Sequence, residues 1–147
     1  MKTKSIFCAA VLMTALGSGC TSLTFHHDWN QALAADSKSD GPEGAWAGSW
    51  RSNVNGHNGS LKCLISRVDA QTYRARYFAR YFGELFAFEY TIDLEPQKRD
   101  GAYYLKGEAD LGLMGGIYSH KGYIKGDRFH STYRSEHDEG IYKLRRQ

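Results

Sequence analysis

The chain has 147 residues, 19 basic and 16 acidic side chains, three cysteines and 14% aromatic residues, ten tyrosines among them. Lys2 and Lys4 both lie in the first nineteen residues, which hold no acid, so the rest carries 17 basic against 16 acidic groups, close to +1. That balance excludes the basic excess by which nucleic-acid binders are recognised, and Cys63, the one cysteine after residue 20, excludes an intramolecular disulfide in that part of the chain.

Residues 1–19 have the three parts of a secretory signal. Lys2 and Lys4 form a basic start, and Ile6 to Leu16 is an uncharged apolar run. The run is shorter than the roughly 18 apolar residues a spanning helix needs. Leu16-Gly17-Ser18-Gly19 then brings small residues up to Cys20. This stretch resembles the lipobox of bacterial lipoproteins, although Leu16 stands four places before the cysteine rather than three. The resemblance implies cleavage before Cys20, lipidation of Cys20 and a membrane-anchored protein outside the cytoplasm. Thr21 is not the Asp that signals inner-membrane retention in that class, so the outer membrane is the favoured destination.

Residues 20–43 read as a tether containing a short helix. Phe25, Trp29 and Leu33 recur at i, i+4 and i+8, and Ala32, Ala34 and Ala35 favour helix. Ser37-Lys38-Ser39-Asp40-Gly41-Pro42 ends it as a loop. The expected role of this helix is to cover one end of the domain that follows.

From residue 44 to 147 the period changes to two, with turn residues every 8 to 14 positions. The spacing predicts eight strands, at 45–51, 60–68, 72–82, 85–95, 102–112, 115–125, 128–136 and 139–146, with Pro42 and Pro96 in loops. Turns at Gly83-Glu84, Leu113-Met114 and Gly126-Asp127 place Tyr77 opposite Tyr90, Gly107 opposite His120, and His120 opposite Tyr133. A turn at His137-Asp138 pairs Tyr133 with Tyr142 and Ser131 with Leu144. One face is then apolar or small and the other rich in Arg, Lys, Glu and Asp, as register requires when one face is buried. A single meander of eight strands removes its exposed edges by closing. The expected fold is all-β: one antiparallel up-and-down barrel with a short N-terminal helix.

Gly44-Ala45-Trp46 at the first strand, with Arg145 or Arg146 in the last, resembles the lipocalin and avidin-like (calycin) barrels. There the Trp lies at the closed end and an Arg of the final strand packs over it. Gly44-x-Trp46-x-Gly48-x-Trp50-x-Ser52, Asn55-Gly56-His57-x-Gly59, Ala109-Asp110-Leu111-Gly112 and Gly115-Gly116-x-Tyr118 are similar to a family of small bacterial lipoproteins. That second likeness implies a lipoprotein barrel and no particular chemistry.

Tyr73, Tyr77, Tyr81, Tyr90, Tyr103, Tyr118, Tyr133 and Tyr142 are expected inside. Buried phenols need hydrogen-bond partners, so the interior reads as aromatic and polar. Gly107, Ala109, Gly116, Gly122 and Ser131 remove volume beside those rings. Two readings stay open: a cavity for a small apolar or aromatic ligand, or a filled core whose glycines mark bends. For the cavity, the candidate ligand-binding residues are Trp50, Tyr77, Tyr90, Tyr103, Tyr118, His120 and Tyr133. His26-His27-Asp28 in the tether makes no defined metal site, and Glu136-His137-Asp138-Glu139 reads as a solvated turn. No nucleophile motif and no inward carboxylate beside His120 is expected, so neither catalysis nor a cofactor is read. The alternative to a carrier is an interaction or structural lipoprotein, using the outward row Arg74, Arg76, Phe78, Arg80 and Phe82 of the third strand. The membrane is the expected partner through the anchor, with a small molecule in the barrel and no nucleic acid.

Overall fold

A computed structural model describes residues 9–35 and 39–147, with the side chains of 9–21 and of Met114 outside the described set. The basic start of the signal therefore lies outside the described residues, and so does the side chain of Cys20, on which lipidation is expected. Helix α1 (Ala9–Ala34) precedes eight strands: β1 (Gly44–Ser52), β2 (Asn58–Arg67), β3 (Tyr73–Tyr81), β4 (Phe86–Arg99), β5 (Ala102–Asp110), β6 (Ile117–Lys125), β7 (Arg128–Arg134) and β8 (Glu139–Arg146). Each strand pairs antiparallel with the next and β8 pairs with β1, giving a closed up-and-down barrel. No helix among the described residues is long and apolar enough to cross a membrane.

The inward set is the expected one. Leu61, Cys63 and Ile65 of β2, Tyr73, Ala75 and Tyr77 of β3, and Tyr90, Ile92 and Leu94 of β4 belong to one buried cluster with Trp46, Phe129 and Leu144. Tyr77 lies opposite Tyr90, Gly107 opposite His120, and His120 opposite Tyr133. Gly107 and Gly122 do not open space, however. A Cβ at Gly107 would fall on the Asp93 carbonyl oxygen, and one at Gly122 on the His130 carbonyl oxygen and against Ser131. They are places where neighbouring strands approach too closely for a side chain.

Two other expectations about the strands are corrected. Tyr133 pairs with Gly140, and Ser131 with Tyr142, a shift of two residues from the predicted register. The cause is a turn centred one residue earlier: Ser135 N–H donates to the Asp138 carbonyl at 2.7 Å, leaving Glu136 and His137 at the tip instead of His137 and Asp138. A shift of two preserves every face, so the core survives the error. Pro96 is not in a loop but inside β4, opposite Leu105. The β3·β4 ladder has ended at Tyr73 and Leu94, so on that side no strand carbonyl awaits an N–H from residue 96. The turn of this hairpin is Asp100-Gly101, both with positive φ (52° and 73°), as a tight two-residue connection requires.

Helix α1 covers a wall of the barrel, not an end. Phe25 and Trp29 are buried against Ala45 of β1 and Phe78 of β3, with Ala32, Ala47 and Leu64 beside them, while Leu33 is exposed. Phe25 stacks on Phe78 at 5.2 Å. Arg76 donates to Asp28 of the helix and to Glu89 of β4. Phe78 is therefore covered, contrary to its expected exposure. Arg74 pairs with Asp93 at 2.8 Å and Arg80 with Glu84 at 3.7 Å, so the row's cations are matched within the chain.

The far end is closed by the segment before β1. Trp46 Nε1–H donates to the Pro42 carbonyl at 2.9 Å, and Phe129 meets the Trp46 ring edge-on. Arg146 lies over the same ring, 4.2 Å from its centroid, and donates to the carbonyls of Gly41 and Glu43 at 2.7 Å each. Arg145 points outward to Asp127. Of the two candidates, Arg146 closes the barrel.

Candidate functional site

The opposite end is open, because α1 and the 39–43 segment lie elsewhere. The β1–β2, β3–β4, β5–β6 and β7–β8 connections surround a mouth that leads into a cavity of about 350 Å³. That volume is at the lower end of what small-ligand sites enclose. Trp50, Ala79, Phe88, Tyr90, Tyr118 and Tyr142 form its inner walls, and His57, Phe82 and Leu111 its lip.

Local structure places each of these groups. Trp50 follows Trp46 and Gly48 on the inward face of β1, and its Nε1–H donates to the Arg80 carbonyl at 2.8 Å, which fixes the ring across the wall. The β1–β2 loop is held by Ser52, whose Oγ accepts N–H groups from Val54 and Asn55. Asn55 Oδ1 in turn accepts the His57 N–H at 2.9 Å, an Asx turn that aims His57 at the mouth.

Below the cavity lies an aromatic floor. Tyr77 stacks on Tyr90 at 5.0 Å and on His120 at 5.7 Å, and Phe88 stacks on Tyr90 at 5.7 Å. The Tyr90 and Tyr142 hydroxyls are hydrogen-bonded at 2.7 Å, and His120 Nε2 is 3.4 Å from the Tyr90 hydroxyl. His120 Nδ1 is buried without a partner, and the Tyr77 hydroxyl has only the Cys63 thiol, a weak one, beside it. Burial pushes the His120 imidazole down to about 4, so it is neutral at physiological pH. The same burial pushes the Cys63 thiol and the Tyr77, Tyr90 and Tyr142 phenols up, keeping all of them protonated.

One carboxylate reaches the wall. Asp138 accepts from Ser52 Oγ at 2.6 Å and from the Tyr133 hydroxyl at 3.1 Å, one oxygen for each. Burial, and then the Asp138 charge, holds the Tyr133 phenol above its ordinary range. Asp138 thus ties the β7–β8 turn to the β1–β2 loop and presents an acidic edge to the cavity. The sequence reading placed it in a solvated turn. The signal that could have found it is the Ser135-to-Asp138 turn, which sets the pairing register and carries Asp138 inward of the tip.

Of the seven candidate residues, Trp50, Tyr90, Tyr118 and Tyr133 line the cavity. Tyr77 and His120 lie in the floor beneath it, fully buried. Tyr103 is at the other end of the barrel, at the start of β5, with Lys98 over its ring. Among the described residues, His120 has no carboxylate partner, and no three His, Cys, Asp or Glu side chains group as metal ligands would. His26, His27 and Asp28 diverge: His26 meets Phe78, His27 meets Gln31 and Asp28 meets Arg76. The arrangement can enclose a small molecule between rings and offer it phenols and an acidic edge.

The closed eight-stranded antiparallel barrel is consistent with a calycin-like fold. In the comparisons with known proteins, no family model, no curated protein and no solved structure matches the chain.

Proposed function

We propose that the chain is an exported lipoprotein whose barrel holds a small apolar or aromatic molecule. The observation that carries the ligand reading is the open cavity of about 350 Å³ walled by Trp50, Phe88, Tyr90, Tyr118 and Tyr142. Rings on several sides suit a flat, largely uncharged ligand, since each aromatic face contributes through stacking and area. The Asp138 edge favours a ligand that donates a hydrogen bond over one that is anionic. Support for export and lipidation is the stretch from Leu16 to Cys20 and the basic start before it. An N-terminal Cys carrying two or three acyl chains holds a protein stably, where one chain holds it only marginally.

In the outward row of the alternative reading, Phe78 is covered by α1 and Arg74, Arg76 and Arg80 pair with the chain's own acids, which leaves Phe82 as its exposed ring. The test of the carrier reading uses an uncharged fluorescent probe such as N-phenyl-1-naphthylamine. Saturable one-to-one binding with a change in Trp50 emission is expected. Leu111→Trp and Ala79→Trp, which fill the mouth, should weaken it at least tenfold. Probe that fails to bind, or that binds the filled variants equally well, overturns the reading. Mass spectrometry of the membrane-extracted protein tests the anchor separately, the expected N-terminus being a diacylglyceryl-modified Cys20.

A further inference from the structure

The rim of the open end is apolar where a solvated rim would be polar. Phe82, Leu85 and Phe86 on the β3–β4 hairpin, Leu113 and Ile117 around the β5–β6 connection, and Val54 on the β1–β2 loop are all exposed, Leu85 to 81% and Ile117 to 61%. Away from the rim, the large apolar side chains exposed among the described residues are Val68 at the closed end, Tyr104 and Tyr123 on the outer wall, and Leu23 and Leu33 on α1, and these are spread over separate elements. A cluster of this kind on one end of a small domain marks an interaction site.

The β3–β4 loop shows that the display is built in. Phe82, Gly83 and Glu84 all have positive φ, at 51°, 64° and 74°. A Phe in this region is uncommon and its backbone is strained. The loop is held there by Glu84, whose carboxylate accepts the Ser60 hydroxyl at 2.9 Å and the Ser60 N–H at 3.3 Å. This held turn geometry places Phe82 and Leu85 outside, beside the mouth.

We propose that this rim seats on a lipid bilayer, with Phe82, Leu85 and Leu113 entering the interface around the cavity mouth. The inference rests in part on the anchored reading above. Three features select a bilayer as occupant. The apolar side chains come from three separate loops and ring an opening whose walls are themselves apolar, so a fluid apolar phase meets the rim and the mouth together. Phe25 is docked on Phe78 of β3, four residues before Phe82 at the start of the β3–β4 turn, a rise of about 13 Å. The five residues from Cys20 to Phe25 are helical in α1 and rise about 7.5 Å, which leaves roughly 5 Å for the glyceryl linker of a lipid on Cys20 to reach the plane of the rim. A barrel seated this way exchanges an apolar ligand with the membrane without passing it through water.

The competing pose lays the barrel on its β6–β8 wall. There Lys121, Lys125, Arg128 and Lys143 face outward with no ion pair among the described residues, and anionic headgroups would attract them. Environment-sensitive fluorophores distinguish the two. Leu113→Cys and Ile117→Cys mark the rim, Val68→Cys the closed end and Thr132→Cys the basic wall, while Cys63 is buried and takes no label. Full-length protein is placed on phosphatidylethanolamine and phosphatidylglycerol vesicles. Rim probes should shift to the blue, brighten several-fold and be quenched by headgroup-proximal spin-labelled lipid, with Val68 and Thr132 probes unchanged. Replacing Phe82 and Leu85 with Ser should remove most of the Ile117 shift.

A shift at Thr132 or Val68 instead, or none at the rim, overturns the proposal. So does a rim shift in vesicle-free protein, which would assign the rim to a second copy of the chain. Label uptake by the unsubstituted protein reports a free thiol in the N-terminal segment and defeats the lipid-anchor reading. The rim probes, repeated with Cys8 and Cys20 replaced by Ser, then still decide this inference.

Discussion

Single residues set what the two ends of the barrel do. Arg146 supplies a cation to the Trp46 face and two hydrogen bonds to backbone carbonyls. Removing it leaves those acceptors half-buried and unpaired, which costs about 2–4 kcal/mol. Arg146→Ala should lower the denaturation midpoint accordingly, and Arg145→Ala, which loses only the exposed pair with Asp127, by less than about 1 kcal/mol. Midpoints from urea titration check both. His120 makes stability depend on pH. Its folded pKa is depressed to about 4 by burial, from an ordinary 6.5, so the unfolded chain takes up the proton first as pH falls. The contribution is intact above pH 6.5, fades as pH drops from there and is fully lost near pH 4, a change of about 3 kcal/mol. His120→Gln should flatten that part of the stability curve, and an unchanged slope would disprove the assignment. Cys63, whose thiol burial keeps protonated, should resist alkylation in the native state and react only at the rate of global opening.

Among the elements, α1 carries the most consequence. Its Phe25 and Trp29 face was legible from their four-residue spacing, but the partner was not. Phe78 is an outward strand residue, and its burial depends on a contact across more than fifty positions. No local pattern reports that, so the third-strand row read as an exposed face. The strands themselves were legible because alternation sets faces, and a register error of two at β7·β8 leaves faces unchanged. Pro96 was misplaced because its tolerance follows from where the neighbouring ladder stops, a tertiary fact. The candidate site was half legible for a related reason. Parity says that Tyr77, Tyr103 and His120 point inward, yet only their height along the barrel separates floor, closed end and mouth. Phe25→Ala should cost about 3–4 kcal/mol of helix docking and leave the barrel closed. Hydrogen exchange should then speed up at amides of residues 25–34, with the β5–β7 amides still protected; equal loss in both would mean that the barrel needs the helix in order to fold.

At the scale of the molecule, the barrel is polar along its axis: one end clamped by Trp46, Arg146 and the Gly41–Glu43 carbonyls, the other open and apolar. That asymmetry depends on closure, and closure depends on the β1·β8 seam, since the first and last strands meet there across the whole chain. Gly48 lies at the middle of it, opposite Leu144. A Cβ at residue 48 would fall on the Lys143 carbonyl oxygen and against the Leu144 backbone, and backbone at a ladder cannot yield without separating the strands. Opening the seam exposes two strand edges and the core between them, and exposed edges pair with other chains. Gly48→Val is therefore expected to cost more than about 4 kcal/mol, beyond the usual range for one substitution, and to produce aggregates. Ser49→Val, one residue along and on the outward face, should shift stability by no more than about 0.5 kcal/mol. Size-exclusion chromatography and urea midpoints of the two variants form the comparison. A monomeric Gly48→Val with near-native stability would show that the barrel tolerates an open seam and that closure is not what holds the mouth in shape.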